Sequence, residues 1–230
     1  MNHKKISDAA IRRLPRYYRH LKEMEREGIL RTSSQALSQR MGLTASQIRQ
    51  DFNHFGGFGQ QGYGYKVKEL CDALAKILGQ GQNRFYNTII IGAGNMGRAL
   101  GRYDAFRQEG IRVMAYFDQD PTLVDHMIEG LYVYPMEQLE WYIRQNEVEI
   151  AVITVPAFAA QAVASRVIAA GVKGIWNFAP VDLKANGVTI ESIHLTDSML
   201  ALTYRMNERQ NLEDEVRSRA VAETQEDRRS

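Results

Sequence analysis

Apolar residues in the first 80 positions recur at the spacing of short amphipathic helices. A helical period runs from Ile11 to Leu21 and is ended by Gly28. Pro15 lies inside this stretch and suits the first turn of a helix, so the helix begins either near Ile11 or at Pro15.

Two further short helices follow, separated by a turn that contains glycine. Ser33 or Ser34 can cap the first of them, and Gly42 ends it. Thr44 caps the next, which is predicted over residues 45–54. Two short helices joined in this way predict a helix-turn-helix.

A segment rich in glycine and aromatic residues comes next. Residues 55–65 include five glycines between aromatic side chains, which excludes a continuing helix and suits a small β-ribbon. After a helix-turn-helix, such a ribbon would be a wing. A helix over residues 67–78 and a linker over 79–83 follow, so residues 1–80 are predicted to form a winged-helix DNA-binding domain.

From residue 85 the pattern changes to alternating strands and helices, which predicts a parallel sheet. The predicted strands are 88–91, 111–117, 131–134, 149–155 and a strand that starts at 174–177. The predicted helices are 96–107, a short one at Asp120-Pro121, 136–145 and 157–170. Asn186-Gly187, between extended segments, predicts a hairpin turn.

The end of the chain is predicted to leave this sheet. Thr196 or Asp197 caps a helix that ends near residue 207, and the polar residues 208–230 are expected to be disordered. The predicted fold is therefore α/β, with a winged-helix domain, a Rossmann-type parallel-sheet domain over residues 85–195 and a C-terminal helix over 196–207.

The clearest chemical signal is the segment Gly92-Ala93-Gly94-Asn95-Met96-Gly97. This GxGxxG pattern follows a β-branched strand and opens a helix, which is the context that dinucleotide binding requires. Gly92 permits a tight turn, Gly94 lets the backbone approach a pyrophosphate, and Gly97 lets the helix pack closely on the strand. The helix N-terminus offers unpaired amides to the phosphates.

An acidic residue ends the next predicted strand. Asp118 lies 21 residues after the last glycine of the motif, where a carboxylate binds the adenosine ribose hydroxyls. It would repel a 2′-phosphate, and Gln119 offers no cation to bind one, so the sequence favours NAD over NADP. Asp120 is better explained as a cap before Pro121.

Composition and charge add that the two halves differ. With 230 residues, 44% hydrophobic and 24% charged, the chain is globular, and it has no apolar run of the roughly 20 residues that a membrane span needs. Residues 1–84 carry 15 Lys and Arg against 7 Asp and Glu, whereas the other residues carry 14 against 20. This asymmetry predicts a polyanion-binding N-terminal half.

The single cysteine, Cys71, cannot form an intrachain disulfide, which favours a reducing cytoplasm, and it lies in a helical stretch where packing explains it. Scattered histidines and one cysteine give no metal-ligand spacing.

The helix over residues 45–54 carries side chains that read DNA bases. Arginine pairs with guanine and glutamine with adenine in the major groove. The residues predicted to point toward DNA are Ser46, Gln47, Arg49 and Gln50. The residues predicted to contact phosphates at helix starts are Ser33, Ser34 and Thr44.

Several motifs follow one another in a specific order along residues 8–207. They are Arg31-Thr32-Ser33-Ser34, Ile48-Arg49-Gln50-Asp51, Phe55-Gly56, Gly62-Tyr63-Gly64-Tyr65, the glycine motif, Phe117-Asp118-Gln119-Asp120-Pro121, Val155-Pro156-Ala157 and Asn177-Phe178-Ala179-Pro180. In this order they resemble the Rex family of redox-sensing transcriptional repressors. The resemblance implies a homodimer that exchanges its C-terminal helix, binds a palindromic operator and releases it when NADH rises relative to NAD.

The resemblance also implies functional residues beyond those of the glycine motif and Asp118. The further cofactor contacts are Tyr103, Val155, Pro156, Asn177 and Phe178, and the wing contacts to DNA are Gln61 and Tyr63. The switch residues are Arg19, Tyr103, His194 and Leu195.

This chain departs from the family pattern at several of these positions. Gln50 stands where a lysine is usual, and Gln60-Gln61 where the wing often carries a basic residue. His194 occupies the position of the family's switch aspartate, and Leu195 that of a large aromatic residue.

Two other functions compete with this interpretation. A nicotinamide-dependent dehydrogenase would need a proton donor, but the only Tyr-x-x-x-Lys pair, Tyr18 and Lys22, lies in the basic half. His126 and His194, the histidines of the dinucleotide half, have no evident carboxylate partner. An architectural nucleic-acid-binding protein, whose Rossmann half binds nothing, is the third possibility.

Overall fold

The computed structural model of the chain describes residues 6–56, 58, 64–79 and 84–227, with side chains as far as residue 214. The chain divides into two compact units, Met1–Phe85 and Tyr86–Ser230. Each unit has a hydrophobic core of its own, as expected of a domain. Most of the predicted linker over 79–83 lies outside the described residues.

The N-terminal unit begins with the long helix α1, Asp8–Arg26. The hydroxyl of Ser7 accepts a hydrogen bond from the amide of Ala10 and caps this helix. Pro15 therefore lies well inside α1, and a helix start at Pro15 is wrong. The helix starts before Pro15 because its buried face already begins at Ala10, so the residues before Pro15 also pack onto the core.

Further helices and short strands complete this unit. They are β1 (Arg31–Thr32), α2 (Ser34–Met41), α3 (Ala45–Phe55), β2 (Tyr65–Lys66) and α4 (Val67–Ile77). Helices α2 and α3 form the predicted helix-turn-helix, and Gly42 between them has φ +66°, which favours glycine. Strands β1 and β2 pair antiparallel. Of the predicted wing, residues 57 and 59–63 lie outside the described residues.

A buried carboxylate joins helix α3 to helix α1. Asp51 is 1% exposed and accepts two hydrogen bonds from Arg13, from Nε to Oδ2 at 2.6 Å and from Nη2 to Oδ1 at 2.8 Å. The Tyr17 hydroxyl donates to Oδ2 at 2.6 Å, and the Gln47 amide donates to Oδ1 at 3.1 Å. Burial alone would raise the pKa of Asp51, but these hydrogen bonds outweigh burial and hold that pKa below its usual value.

The C-terminal unit is built on a seven-stranded sheet. Its strands are β3 (Tyr86–Ile91), β4 (Ile111–Asp118), β5 (Met127–Ile128), β6 (Leu131–Pro135), β7 (Ile150–Ile153), β8 (Gly174–Asn177) and β9 (Thr189–Ser192). Its helices are α5 (Asn95–Gly101), α6 (Ala105–Gln108), α7 (Leu139–Gln145), α8 (Ala157–Ala170) and α9 (Leu195–Asp227), with a 3-10 turn over Met136–Gln138.

The order of the strands is that of a Rossmann fold. The sheet runs β5-β6-β4-β3-β7-β8-β9, and all neighbouring strands are parallel except β5 and β6. Without the edge strand β5, and with β3 counted as the first strand, this is the order 3-2-1-4-5-6. The predicted fold class is confirmed. Because β4 and β7 flank β3, the carboxyl ends of β3 and β7 lie at the topological switch point, where ligands bind.

Some local predictions for this unit are wrong. The helix predicted over residues 96–107 is divided into α5 and α6, since Gly101, a weak helix former, ends α5. No helix follows Asp120, which accepts hydrogen bonds from the backbone and side chain of Thr122 and so caps only a turn. The antiparallel pairing of β5 with β6 is not predicted by the sequence.

The predicted hairpin at Asn186-Gly187 is also wrong. Gly187 does form a turn, with φ +79°, but β9 after it pairs parallel to β8. A parallel partner requires a crossover, and residues 178–188 supply it as a loop.

The last helix is longer than the sequence predicts. Helix α9 continues to Asp227, beyond the predicted end near residue 207. The prediction of disorder from residue 208 is therefore wrong for all but residues 228–230, which lie outside the described residues. Polar pairs one turn apart support the extension, as between Arg209 and Glu213, whose Nε and Oε1 are 2.9 Å apart.

None of the helices in the part of the chain that the structure describes is both long and apolar enough to cross a membrane. The described residues also contain no group of three or more His, Cys, Asp or Glu side chains that could hold a metal ion. Cys71 is buried in α4, and burial raises the pKa of its thiol, as expected of a packing residue.

We expect the N-terminal unit to lose stability in acid through Asp51. Because the pKa of this carboxyl is lowered on folding, its contribution to stability is present above the unfolded pKa of about 4 and is lost as the pH falls through the folded pKa. Asp51→Asn leaves Arg13 without its charged partner and should cost about 3 kcal/mol at neutral pH. It should also flatten the acid dependence.

Urea unfolding followed by circular dichroism, at neutral pH and at about pH 2.5, which is below the unfolded pKa of the carboxyl, measures both effects. Asp72→Asn, at an exposed carboxylate of α4, is the matched control and should change neither. An acid dependence of the N-terminal unit that survives Asp51→Asn would contradict this account.

Candidate nucleotide cleft and DNA-binding face

The glycine motif forms the turn between β3 and α5. Gly92 has φ +102°, a conformation that side chains other than glycine rarely adopt. A Cβ at Gly97, in the first turn of α5, would lie 2.0 Å from the carbonyl oxygen of Gly92. The tight turn and the close packing of helix on strand that the motif predicts are therefore both present.

The middle of the motif faces open space. A Cβ at Gly94 would have no neighbour within 4 Å, and Gly94, Asn95 and Met96 are all exposed. Amides in the first turn of a helix have no acceptor within the helix, and the helix dipole adds positive charge at this end. This stretch of backbone can therefore receive a pyrophosphate, as predicted from the sequence.

Asp118 lies at the carboxyl end of β4, beside β3. Its Oδ2 accepts a hydrogen bond from the amide of Ala93 at 2.6 Å, and its Oδ1 accepts from the amides of Gln119 and Asp120 at 2.7 and 2.9 Å. A carboxylate has about four acceptor positions, so about one remains for a ribose hydroxyl. Asp118, the residue predicted to bind the ribose, therefore also attaches the glycine loop to β4 through the amide of the buried Ala93.

Thr154 is a site residue that the sequence analysis does not single out. It follows β7, and its hydroxyl oxygen lies 3.0 Å from the carbonyl oxygen of Ile91 and 2.9 Å from that of Gly92. This contact joins the ends of β3 and β7 across the switch point. The available signal is a hydroxyl residue that ends an apolar strand. Val155, half-buried, and Pro156, exposed, follow at the same edge of the sheet.

Asn177, one of the predicted cofactor contacts, has its side chain engaged within the protein. The side chain is fully buried at the end of β8. Its Nδ2 donates to the carbonyl of Val181 at 2.8 Å, and its Oδ1 accepts from the amide of Ala179 at 3.0 Å. Because both ends of the amide are used inside the protein, Asn177 folds the loop that holds Phe178.

A series of aromatic contacts joins this loop to the end of α5. Phe178 packs on Trp176 with ring centroids 4.6 Å apart, and Trp176 packs on Phe106 at 5.6 Å. Phe106 in turn contacts Tyr103 at 4.9 Å. Two of the predicted cofactor contacts, Tyr103 and Phe178, therefore belong to one aromatic surface, on which Tyr103 is exposed. Such a surface suits an uncharged ring.

The predicted switch residues are distributed over both units. Arg19 is exposed on α1, in the N-terminal unit, while Tyr103 and Leu195 are exposed in the other. The Nε2 atom of His194 lies 3.3 Å from Oδ1 of Asp182, although the pair does not have hydrogen-bond geometry. His194 thus has an acidic neighbour of its own, and the switch stays a prediction.

The predicted phosphate contacts lie at the starts of α2 and α3. The hydroxyls of Ser33 and Thr44 each accept a hydrogen bond from a backbone amide of the following helix at 3.1 Å. Both residues are exposed caps at helix N-termini, where phosphates bind. Ser34 differs, because its Oγ accepts a hydrogen bond from Nη1 of Arg49 at 3.1 Å and so ties α2 to α3.

Helix α3 turns one polar face outward and buries Ile48 and Phe52. The predicted DNA contacts that are exposed on this face are Ser46, Arg49 and Gln50. Gln47, predicted to point outward, is only half-exposed, because its amide reaches back to Asp51. The remaining predicted contacts, Gln61 and Tyr63, lie outside the described residues.

Comparison with known proteins connects the two halves of this chain. A family model described as a putative DNA-binding protein N-terminus matches residues 5–53, and one described as a CoA binding domain matches residues 83–181. The redox-sensing transcriptional repressor Rex of Thermoanaerobacter pseudethanolicus is 49% identical over 205 residues, which cover 89% of this chain and 91% of that protein. Rex of Clostridioides difficile is 47% identical over 209 residues, which cover 90% and 99%.

Solved structures give the same result. RSP, a Rex-family repressor, aligns with a TM-score of 0.83 and 45% identity over 91% of this chain and 97% of its own. RSP in complex with β-NAD+ and operator DNA aligns with a TM-score of 0.83 and 47% identity over 91% and 96%. RSP in complex with β-NADH aligns with a TM-score of 0.83 and 44% identity over 92% and 99%.

We expect Gly94→Ala and Gly97→Ala to separate binding from folding. Gly97→Ala forces the loop apart and should cost about 2 kcal/mol of stability, the range for overpacking. Gly94→Ala meets nothing in the protein and should leave the melting temperature unchanged, while its methyl group blocks the approach of a pyrophosphate. Thermal unfolding and NADH titration by fluorescence measure the two effects. Unchanged NADH binding by Gly94→Ala would exclude this loop as the phosphate site.

Proposed function

Because the chain belongs to the Rex family of redox-sensing transcriptional repressors, we propose that it represses transcription by binding operator DNA and that NADH releases it. The observation that carries the proposal is the similarity, over 91% of this chain, to a Rex-family repressor in complex with β-NAD+ and operator DNA. A protein of this function works in the cytoplasm, beside DNA and the NADH pool.

The N-terminal unit binds the DNA. Its 15 Lys and Arg against 7 Asp and Glu over residues 1–84 favour a phosphate backbone. Helix α3 enters the major groove with Arg49 and Gln50, whose side-chain types pair with guanine and adenine. The starts of α2 and α3 lie against phosphates. Gln50 replaces a usual lysine, so one cation fewer contributes to the salt dependence of binding.

The C-terminal unit binds NADH and NAD. The amides around Gly94 receive the pyrophosphate, and the adenosine ribose bonds to Asp118. Asp118 disfavours a 2′-phosphate by charge repulsion, so NAD(H) is preferred over NADP(H). The nicotinamide lies toward the aromatic surface that contains Tyr103 and Phe178, near Pro156.

That surface supports discrimination between the two redox states. NADH and NAD differ by one charge and by the planarity of the ring, so the difference must be recognised at the nicotinamide. A neutral dihydronicotinamide is stable in a dry, apolar pocket, whereas burying the cationic ring costs desolvation energy unless it is paired. Leu195 of a second copy of the chain completes the pocket, with His194 and Arg19 contributing to the switch.

The regulatory step requires a dimer with two states. Helix α9 exposes Leu195, Met199, Leu202 and Met206, an apolar surface that a second copy covers when the helices are exchanged. Closure around NADH then moves the two recognition helices away from successive major grooves of a palindromic operator. A change from 1:99 to 99:1 in favour of the closed state needs about 5.5 kcal/mol of differential affinity.

The dehydrogenase alternative is not favoured. The relatives are named transcriptional repressors. Tyr18 and Lys22 lie on α1 in the other unit from the glycine motif, and the Lys22 ammonium lies 4.8 Å from the centre of the Tyr18 ring. An architectural protein with an empty Rossmann half would show no NADH binding at all.

We expect NADH to weaken operator binding more than NAD does, because only the neutral ring is stable in the apolar pocket. Titration of labelled operator DNA at several salt concentrations, with each nucleotide, measures the effect. Equal effects of NADH and NAD would remove the redox-sensor function while leaving a DNA-binding protein. Consumption of NADH in the presence of a carbonyl substrate would instead support the dehydrogenase function.

Asp118→Ala should weaken NADH binding by about tenfold, since a hydrogen bond to a charged group contributes about 1.5–3 kcal/mol. The same variant should narrow the preference for NADH over NADPH, because the charge that repels the 2′-phosphate is gone. Asp125→Ala, at an exposed carboxylate of the same unit, is the control. An unchanged NADH-to-NADPH ratio would contradict the role of Asp118.

A further inference from the structure

We propose that Asp51 sets the base preference of helix α3 by fixing the orientation of the Gln47 amide, an inference that rests on the DNA-binding function proposed above. Gln47 lies in the first turn of α3, and the N-terminal residues of a recognition helix are those that contact base edges. Its side chain is half-exposed, so one end can face DNA while the other contacts the protein.

The direction of this amide follows from the chemistry of its partner. The nearer amide atom of Gln47, Nε2, lies 3.1 Å from Oδ1 of Asp51. Arg13 and Tyr17 donate to the same carboxylate, which is therefore held ionised and offers no proton. An amide turned the other way would place its oxygen against a carboxylate oxygen, two acceptors facing each other. Only the orientation with Nε2 toward Asp51 makes a hydrogen bond.

The consequence is that Gln47 presents its oxygen outward. Among the described residues no donor bonds to Oε1. In the major groove, amino groups are offered by adenine and cytosine, whereas guanine and thymine offer only acceptors on their own edges. The second hydrogen of Nε2 can donate to N7 of adenine, beside the amino group that Oε1 contacts. We therefore infer that Gln47 prefers adenine, then cytosine, and disfavours guanine and thymine.

Gln50 on the same helix provides an internal comparison. It is exposed, and no hydrogen bond fixes its amide among the residues that the structure describes. Gln50 can therefore turn either end of its amide to a base edge and should discriminate less. The fixed amide of Gln47 also loses less conformational freedom when DNA binds, which favours a preorganised contact.

The experiment begins with an operator selected from random double-stranded DNA by the unmodified, full-length protein. Each base pair of the half-site is then changed to the other three, and the affinities of the protein and its variants are compared. Gln47→Met removes the amide, and Asp51→Asn replaces the acceptor-only carboxylate by a group that can accept or donate. Tyr17→Phe is the matched control, because it removes a hydrogen bond to Asp51 without removing the contact to Gln47.

We expect the unmodified protein to prefer adenine by about tenfold at one base pair of each half-site, within the usual range for a bidentate contact. Gln47→Met and Asp51→Asn should both reduce the preference to about twofold at that base pair and leave the other positions unchanged. Tyr17→Phe should retain the whole profile. A purely structural role of Asp51 would instead weaken binding to every sequence equally.

The amide itself gives a second measurement, which decides the question if Asp51→Asn does not fold. In the NMR spectrum of the unmodified protein, one Nε2 proton of Gln47 should exchange with solvent more slowly than those of Gln50. Equal exchange of the two amides would overturn the proposal.

The binding profiles also separate this inference from the function on which it rests. A Gln47→Met profile identical to that of the unmodified protein, or a uniform loss in Asp51→Asn, would overturn the inference alone. Failure of the unmodified protein to select any DNA sequence would overturn the proposed DNA-binding function and this inference together.

Discussion

The nucleotide cleft depends on how closely the chain approaches itself at the end of β3. A Cβ at Gly97 would lie 2.0 Å from the carbonyl oxygen of Gly92, so the first turn of α5 lies directly on the loop that precedes it. This contact fixes the direction of the helix N-terminus and leaves the backbone at Gly94 uncovered. Asp118 and Thr154 fasten the loop from the two neighbouring strands. The site for an anion is therefore built from backbone, before any side chain touches a ligand.

The two units use the same device, a carboxylate that collects several donors. Asp118 accepts hydrogen bonds from three backbone amides and keeps about one acceptor position for a ligand. Asp51 accepts side-chain donors from Arg13, Tyr17 and Gln47 and is itself buried. In the proposed function, each carboxylate positions the element that meets the ligand, and its negative charge selects which chemical group can approach. Positioning and selectivity thus come from one residue.

Backbone chemistry was predictable from the sequence, and side-chain partners were not. The glycine motif and the helix caps Ser33 and Thr44 follow local rules, because each acts within a few residues of the turn it forms. Asp118 was predictable from its spacing after that motif. The roles of Asn177 and Gln47 depend on residues that the fold brings near them, Val181 and Asp51. The parallel course of β9 after Asn186-Gly187 likewise follows from the sheet and not from the turn. Such contacts form only in the folded chain and cannot be predicted from the spacing of residues along the sequence.

In the proposed mechanism, helix α9 is the element through which nucleotide binding affects operator binding. Effector and operator influence each other only if both change the balance between the same two states. Every described side chain of α9, through residue 214, is exposed, although Met199, Leu200, Leu202 and Met206 are apolar. In the proposed dimer a second copy of the chain covers this apolar surface, and the first residue of the helix, Leu195, belongs to the proposed nicotinamide pocket. Cofactor binding then acts directly on the contact between the subunits, which is the condition that coupling requires.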